Sequence, residues 1–302
     1  MPRSRGDADT SPVREWPPID EPELLARLAL DDEGFYAAAR RISEMWGKRE
    51  YTPALLERAL GYPWERPTGS YLLRGDRVDL LSDADASERE SIVETFTKDR
   101  HPILSFGGNG APEWLTTKFA HFWEEENKEV LVLTGELHDV DVGASASVSP
   151  LGYMPGTLFA SPGTAVRAAM VWCTTAQLTQ LTWSEVPYQL GRLEDALFVM
   201  DDADVEVEQV FAYVSRFGAF CVDGQPIALA AVPAKNRTAR ALTQEDLLDL
   251  VAPRLLGRAA GAEELVRATW EDMAAVTARA SKILWPCSQP LQAHWTPFPA
   301  SA

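Results

Sequence analysis

A glycine-rich turn is the first place in this chain where residue types and spacing suggest chemistry. Residues 103–110 read ILSFGGNG, and a helical pattern with Pro112 in its first turn follows. Glycine adopts positive φ freely and lets a ligand approach the backbone closely. Free N–H groups in such a loop, and at the helix N-terminus after it, can bind a carboxylate or a developing oxyanion. An ordinary tight turn is the alternative interpretation of the same residues.

A carboxylate at a second strand–helix junction is the other candidate. Residues 171–184 predict a strand that feeds a short helix, and Glu185 follows, with Pro187 and Tyr188 just beyond. The neighbours of Glu185 are mostly apolar, and a carboxylate in apolar surroundings is suited to accepting and returning a proton. The competing interpretation is an exposed acid at a helix end.

Together these stretches resemble the gamma-glutamylcyclotransferase-like family. That family has a strand ending in a Tyr-Gly-Ser-Asn-like loop, and later a strand, a short Leu-x-x-Leu helix, a glutamate, and a Pro and Tyr soon after. In this chain the loop positions are occupied by Phe106, Gly107, Gly108 and Asn109. Glu185, Pro187 and Tyr188 match the later positions, and residues 157–166 look like the family's hairpin with a Pro-Gly turn. The resemblance spans residues 101–232.

The resemblance implies a reaction and a set of residue roles. Members of the family expel an amine from a γ-glutamyl compound by cyclising the glutamyl part to 5-oxoproline. Glu185 would be the general acid/base that moves the proton between the two amines. The loop 107–109 would bind the oxyanion or a substrate carboxylate, and Phe106 and Tyr188 would line the substrate site. The implied ligand is a small molecule, with no cofactor and no metal.

Three departures from the family pattern keep a second function class open. Gly108 stands where the family has serine, Phe106 stands where it has tyrosine, and no glycine follows Glu185. The first hypothesis is an enzyme that acts on a small γ-glutamyl amine or amino-acid conjugate. The second is a non-catalytic relative that keeps the fold to bind a small carboxylate or a protein partner.

The resemblance also implies an α+β fold class, a gamma-glutamylcyclotransferase-like small mixed β-barrel flanked by N- and C-terminal helices. We therefore divide the chain into four segments. Residues 1–20 are a polar, disordered tail, and residues 21–100 are mainly helical. Residues 101–232 form a closed or nearly closed β-unit, because short apolar runs alternate there with Pro/Gly turns. Residues 233–302 are a helical segment packed on that unit.

Local patterns add detail to this plan. Residues 70–81 predict a strand pair, and residues 223–224, Asp-Gly, predict a hairpin turn. Single helices are expected over residues 111–127 and 263–284 from their apolar periodicity.

Composition narrows the classes of partner. The 302 residues carry a formal net charge of −17, which disfavours nucleic acid and anionic membrane surfaces as partners. Three cysteines without CxxC spacing indicate reduced thiols and a cytoplasmic setting. The four histidines are scattered, so no metal site is predicted. The first residues have no apolar run, so no signal peptide is expected, and no stretch approaches the roughly 20 apolar residues of a membrane span.

Overall fold

The computed structural model describes most of the chain. The described residues are 16, 19, 21–28, 31–46, 50–194, 196–201, 205, 207, 209–292 and 295–298. The predicted disordered tail, residues 1–20, lies outside this set except at two positions. Trp16 packs edge-on against Phe298, with ring centroids 5.3 Å apart, and Ile19 is buried. Ile19 is therefore part of the core, and Trp16 is half-buried and packs against it.

Helices flank a large sheet. The described residues contain nine α-helices: α1 (Pro22–Leu28), α2 (Asp32–Trp46), α3 (Pro53–Leu60), α4 (Ala86–Thr97), α5 (Pro112–Phe119), α6 (Thr175–Ser184), α7 (Gln244–Leu256), α8 (Ala262–Glu271) and α9 (Met273–Ile283). Short 3₁₀ helices span Leu81–Asp83, Gly108–Gly110, Glu125–Lys128 and Trp285–Cys287. Side-chain caps fix several helix starts. The Thr174 hydroxyl accepts from the Gln177 N–H at the start of α6, and the Gln177 side chain accepts from the Thr174 N–H.

Fifteen strands lie in the described part of the chain. They are β1 (Tyr71–Arg74), β2 (Arg77–Leu80), β3 (His101–Ser105), β4 (Glu129–Ala144), β5 (Gly156–Cys173), β6 (Tyr188–Leu193), β7 (Phe198–Met200), β8 (Val210–Ser215), β9 (Ala219–Val222), β10 (Gln225–Pro226), β11 (Ala228–Leu229), β12 (Ala234–Lys235), β13 (Ala241–Leu242), β14 (Ser288–Gln289) and β15 (Trp295–Pro297).

Twelve of these strands form one mixed sheet. Its main path is β13-β11-β4-β5-β3-β8-β6-β15, with β1, β2, β7 and β12 paired beside it. Two pairs on the path, β3–β8 and β11–β13, are parallel and the others are antiparallel. A small second sheet has the order β10-β9-β14. The predicted α+β class is therefore confirmed.

The predicted closed or nearly closed barrel is wrong. Within the described residues, β13 and β15 end the sheet path and do not pair with each other. The long strands explain this outcome. Along its 16 residues β4 pairs on one side with β5 and on the other with β1, then β7, then β11. The sheet therefore branches along β4 rather than closing.

The sheet also extends beyond the segment 101–232. The hairpin of β1 and β2, predicted over residues 70–81, joins it through pairing of β1 with β4. Strands β12, β13 and β15 join it from the segment 233–302. Both flanking segments thus contribute strands as well as helices.

The two predicted turns have different outcomes. At Asp223 and Gly224 both residues have positive φ, 51° and 74°, and they connect β9 to β10 as a hairpin. That prediction is confirmed. Residues 162–163 are not a hairpin turn but an irregular bulge inside the continuous strand β5. The bulge is held where the Gly163 N–H donates to Asp139 Oδ1 at 2.8 Å.

Alternation along β4 divides the core into two layers. Leu131 and Leu133 pack on one face with residues of α7, α8 and α9. Val130 and Val132 pack on the other face with residues of α1, α5 and α6. The sheet is therefore covered by helices on both faces. None of the helices in the described residues combines the length and the apolar character that a membrane span requires.

Two long helices predicted from periodicity are shorter in the structure. The helix predicted over 111–127 ends at Phe119, and Trp123, assigned to its apolar face, is 91% exposed. The helix predicted over 263–284 is interrupted at Asp272, which caps the start of α9 by accepting from the Ala275 N–H. A local capping side chain outcompetes a continuous helix there.

Candidate functional site

A cavity of about 420 Å³ lies at the end of β3. Its volume is within the roughly 300–1,000 Å³ of small-molecule sites. All six residues predicted from the sequence to form the site lie on its wall. They are Phe106, Gly107, Gly108, Asn109, Glu185 and Tyr188.

The topology explains why the two distant stretches meet. Strands β3 and β5 are antiparallel, with His101 opposite Cys173 and Ser105 opposite Ala169. The loop after Ser105 and the start of α6 after Cys173 therefore lie at opposite ends of the strand pair. Helix α6 runs back along it, and its ten residues cover about 15 Å, close to the length of a five-residue strand. The end of α6 thus returns to the loop.

Glu185 is the C-cap of α6, but it is not an exposed acid. Its side chain is 14% exposed. The C-terminus of a helix carries partial negative charge, so a carboxylate there is unfavourable without a nearby cation. Lys118, in the last turn of α5, provides that cation, with its Nζ 3.1 Å from Glu185 Oε1. The interpretation as an exposed helix-end acid is therefore wrong.

All three N–H donors of the Lys118 ammonium are used within the protein. Its ammonium donates to Asn109 Oδ1 at 2.7 Å, to Ser184 Oγ at 2.7 Å and to Glu185 Oε1 at 3.1 Å. An ammonium has three N–H donors, so none is left for a ligand. Burial lowers the pKa of Lys118, and the charge of Glu185 opposes that shift.

The Glu185 carboxylate has one occupied and one open oxygen. Asn109 Nδ2 donates to Oε1 at 3.0 Å, beside the Lys118 ammonium. Every hydrogen bond and ion pair that the described residues make with this carboxylate ends on Oε1. Oε2 carries none of them and is free to interact with a ligand in the cavity.

The glycine loop is packed beneath two aromatic side chains from the segment before β1. A Cβ on Gly107 would lie 2.5 Å from Tyr62 Oη, and a Cβ on Gly108 would collide with the Trp64 ring. The glycines are therefore required by close packing of the protein on itself, whatever ligand they also contact. Asn109 is the loop residue that reaches the Glu185 side chain.

Tyr62 brings a hydroxyl to the loop. The Gly156 N–H donates to Tyr62 Oη at 2.8 Å. The hydroxyl hydrogen of Tyr62 has no acceptor among the residues that the structure describes, and Tyr62 lines the cavity. Burial raises the pKa of Tyr62 to about 12. The phenol is therefore a permanent hydrogen-bond donor at neutral pH.

Tyr188 and Phe106 line the cavity, but their side chains have no hydrogen-bond donor left for a ligand. The Tyr188 hydroxyl donates to the Gly156 carbonyl at 2.8 Å, so its hydrogen is used within the protein. Phe106 is buried and belongs to the main core. Both residues shape the cavity, and Gly156 links Tyr188 to Tyr62 through its carbonyl and its N–H.

Aromatic rings form much of the remaining wall. Tyr62 stacks on Tyr153 with centroids 4.2 Å apart, and Trp64 lies against Trp114 at 4.8 Å. Trp114 already has cations near its ring, Arg58 at 5.4 Å and Lys118 at 5.6 Å. These indoles are therefore held firmly, and their electron-rich faces already interact with positive charge.

Cys173 is the cysteine that stands nearest in sequence to the candidate site. Cys173 is buried, and burial raises its pKa to about 12, so it is a thiol rather than a thiolate. All three cysteines are free. Across the described ranges, no three His, Cys, Asp or Glu side chains group as metal ligands do.

Comparison with protein-family models, with curated proteins and with solved structures gives no match to this chain. Its function is therefore inferred from the side chains of the site.

Two site residues were not predicted as such from the sequence. Lys118 stands between Leu115 and Phe119 on the apolar side of α5, and a lysine at such a position is the signal that could have revealed it. Tyr62 belongs to an aromatic loop whose nearness to Gly107 depends on tertiary packing, and no local pattern shows it.

Proposed function

We propose that the cavity binds a small γ-glutamyl compound and that Glu185 transfers the proton in its cyclisation to 5-oxoproline. One observation carries this proposal. A nearly buried carboxylate with an open oxygen faces the same cavity as the loop 106–109. A general base must lie within reach of the proton that it takes, and an unoccupied oxygen meets that requirement.

In the proposed reaction, Glu185 Oε2 takes a proton from the substrate α-ammonium. The freed amine attacks the γ-carbonyl carbon, which forms the ring C–N bond and places negative charge on the carbonyl oxygen. Collapse of this intermediate breaks the bond to the leaving amine, and Glu185 returns the first proton to it. Glu185 then takes the second proton that the ring nitrogen must lose and passes it to the departing amine. The products are 5-oxoproline and the released amine as its ammonium ion, and no water or cofactor is consumed.

Tyr62 supports the charged intermediate in this proposal. The hydroxyls that the family pattern has at positions 106 and 108 are missing, while Tyr62 Oη lies over Gly107 with its hydrogen unused by the described residues. Donors aimed at a developing oxyanion typically contribute about 10²–10³-fold in rate. The donor would thus come from a side chain as well as from the loop backbone.

The test is Glu185→Gln, assayed by release of 5-oxoproline from a library of γ-glutamyl amines. Glutamine keeps the volume and can accept from Lys118 and Asn109 through Oε1, but it cannot carry the proton. We expect turnover to fall about 10²–10⁴-fold, with binding and folding nearly unchanged.

Glu113→Gln is the matched control, because Glu113 is an exposed acid on α5. It should leave turnover at the level of the unmodified protein. If the Glu185→Gln protein works at the unmodified rate on a substrate, then Glu185 does not transfer the proton. Replacing Cys173 with serine should alter stability at most.

A second candidate function is a non-catalytic binding protein built on the same cavity. It is favoured because backbone N–H groups around the loop are already used within the protein. The Gly156 N–H donates to Tyr62, and those of Gly110 and Ala111 donate to backbone carbonyls of the loop. Binding of γ-glutamyl compounds without any 5-oxoproline would support this candidate and exclude the enzymatic one.

A further inference from the structure

Part of the cavity wall is formed by helices α2 and α9, which are far apart in the sequence. We define the α2–α9 wall as Phe35, Ala38 and Ala39 of α2, Met273, Thr277 and Ala280 of α9, and Trp285, all of which line the cavity. Every member of this wall except Thr277 is apolar or aromatic, and none is charged. Phe217 completes its ring cluster, with centroids 4.9 Å from Phe35 and 4.3 Å from Trp285.

Charge is scarce in the cavity. Among the described residues, its wall contains two charged side chains, Lys118 and Glu185, and they are paired with each other. All three donors of Lys118 are used. A carboxylate on the distal part of a ligand would therefore lose its water without gaining a cation, which is costly.

A second positive charge on the ligand is disfavoured as well. Glu185 is the one carboxylate among the described residues that line the cavity, and it is paired with Lys118. A cationic amine at the α2–α9 wall would therefore lose its water without gaining an anion there. The distal part of the ligand is thus best left uncharged.

We propose that the α2–α9 wall selects γ-glutamyl compounds whose amine part is uncharged and apolar, preferably aromatic, and rejects those that carry a second carboxylate. The helical additions at the two ends of the chain are then specificity elements. The choice of a γ-glutamyl group as the acyl part of this ligand rests on the proposed function. The preference of the wall for an uncharged ring stands on the lining residues.

The experiment compares matched ligands by calorimetry. On the Glu185→Gln protein we use γ-glutamyl-2-phenylethylamide, γ-glutamylphenylalanine, which adds one carboxylate, and γ-glutamylethylamide, which lacks the ring. The N-acetyl counterparts of all three are titrated into the unmodified protein. We expect the phenylethylamide to bind about 10–100-fold more tightly than the ethylamide, from burial of the ring. We expect a similar advantage over the phenylalanine compound, from its unpaired carboxylate.

Two substitutions on one helix locate the effect. Ala38 faces the cavity, whereas Ala37 beside it is exposed. Ala38→Leu fills space at the wall and should weaken phenylethylamide binding about 10-fold or more, with no change for the ethylamide. Ala37→Leu should change neither. Equal effects of both substitutions would overturn the proposal.

The outcomes separate this inference from the proposed function. Suppose that the ring preference appears both with the γ-glutamyl compounds and with their N-acetyl counterparts while no γ-glutamyl compound yields 5-oxoproline. In that case the inference about the wall stands and the catalytic proposal fails. If γ-glutamylphenylalanine is bound and cyclised as readily as the phenylethylamide, the catalytic proposal stands and the inference about the wall is overturned.

Discussion

Two buried ion pairs in this protein are built in opposite ways. Asp141 on β4 and Arg237 form a pair in which both carboxylate oxygens are occupied. Arg237 Nε donates to Oδ2 at 2.7 Å, and Arg237 Nη2 and the Val142 N–H each donate to Oδ1 at 2.8 Å. Asp141 is fully buried. In the pair of Lys118 and Glu185, the cation is saturated but one oxygen of the anion is open.

The difference separates a structural role from a chemical one. A buried ion pair is at best a modest source of stability, because desolvation of both charges offsets their attraction. A fully buried carboxylate with both oxygens occupied, such as that of Asp141, is closed to a ligand. Glu185 lines the cavity and makes its hydrogen bonds to the described residues through Oε1, so we place the proposed proton transfer at Oε2.

The largest effect that tests this comparison is expected from Asp141→Ala. It leaves the Arg237 guanidinium buried without its anion, which typically costs about 3–5 kcal/mol. Urea denaturation measures the loss. Asp79→Ala is the control, because Asp79 pairs with Arg74 and Arg77 near the surface, where such pairs contribute about 1 kcal/mol or less. A loss of similar size in both variants would mean that the Asp141 pair is not a structural anchor.

A smaller loss is expected from Lys118→Met. The substitution also leaves a buried charge unpaired, but cavity water can reach Glu185 Oε2 and solvate the carboxylate. We expect the free energy of unfolding to fall by about 1–3 kcal/mol, less than for Asp141→Ala in the same urea series. Adding Glu185→Gln should recover part of that loss. A cost equal to that of Asp141→Ala would show that the two pairs are alike and that Glu185 is closed to solvent.

The smallest effect at neutral pH is expected from Tyr62→Phe, which tests the other open group of the cavity. Loss of its hydrogen bonds should cost about 1 kcal/mol. Because the pKa of Tyr62 is raised from 10.0 to about 12 on folding, its contribution is complete below pH 10 and is lost as the pH rises towards 12.

The stability difference between the unmodified protein and Tyr62→Phe should therefore shrink across that window, as followed by denaturation at a series of pH values. A difference that stays constant from pH 9 to pH 12 would contradict the burial of this phenol.

Local sequence patterns predicted much of the secondary structure. They did not predict whether the sheet closes into a barrel. The Asp223–Gly224 turn and the strand pair over residues 70–81 are short-range features whose residues interact with near neighbours, and both are present. The barrel was wrong because closure depends on which strands meet at the edges. The branching along β4 and the bulge at residues 162–163 arise from pairings between distant segments, which local patterns do not contain.

The candidate site could be predicted in part, because some of its residues stand at the ends of strands and helices while others are placed by tertiary packing. Gly107 and Glu185 stand at strand and helix ends, where chain direction changes and side chains become available, and the structure brings both to one cavity. Their roles stay predictions. The Lys118 cation, the Tyr62 hydroxyl and the α2–α9 wall come from segments with no sequence relation to the loop. Their positions follow from packing of the ends of the chain over the sheet.

The origin of the α2–α9 wall has a consequence for how the protein is made. Helix α2 leaves the ribosome long before α9, so the cavity cannot be enclosed until α9 has been synthesised. Contacts between such distant parts of a chain carry a large entropic cost and tend to form late in folding. A ligand held between the two helices would bind only the completed fold and would shift the folding equilibrium towards it by mass action. Its concentration during synthesis would then influence how much of the newly made protein survives.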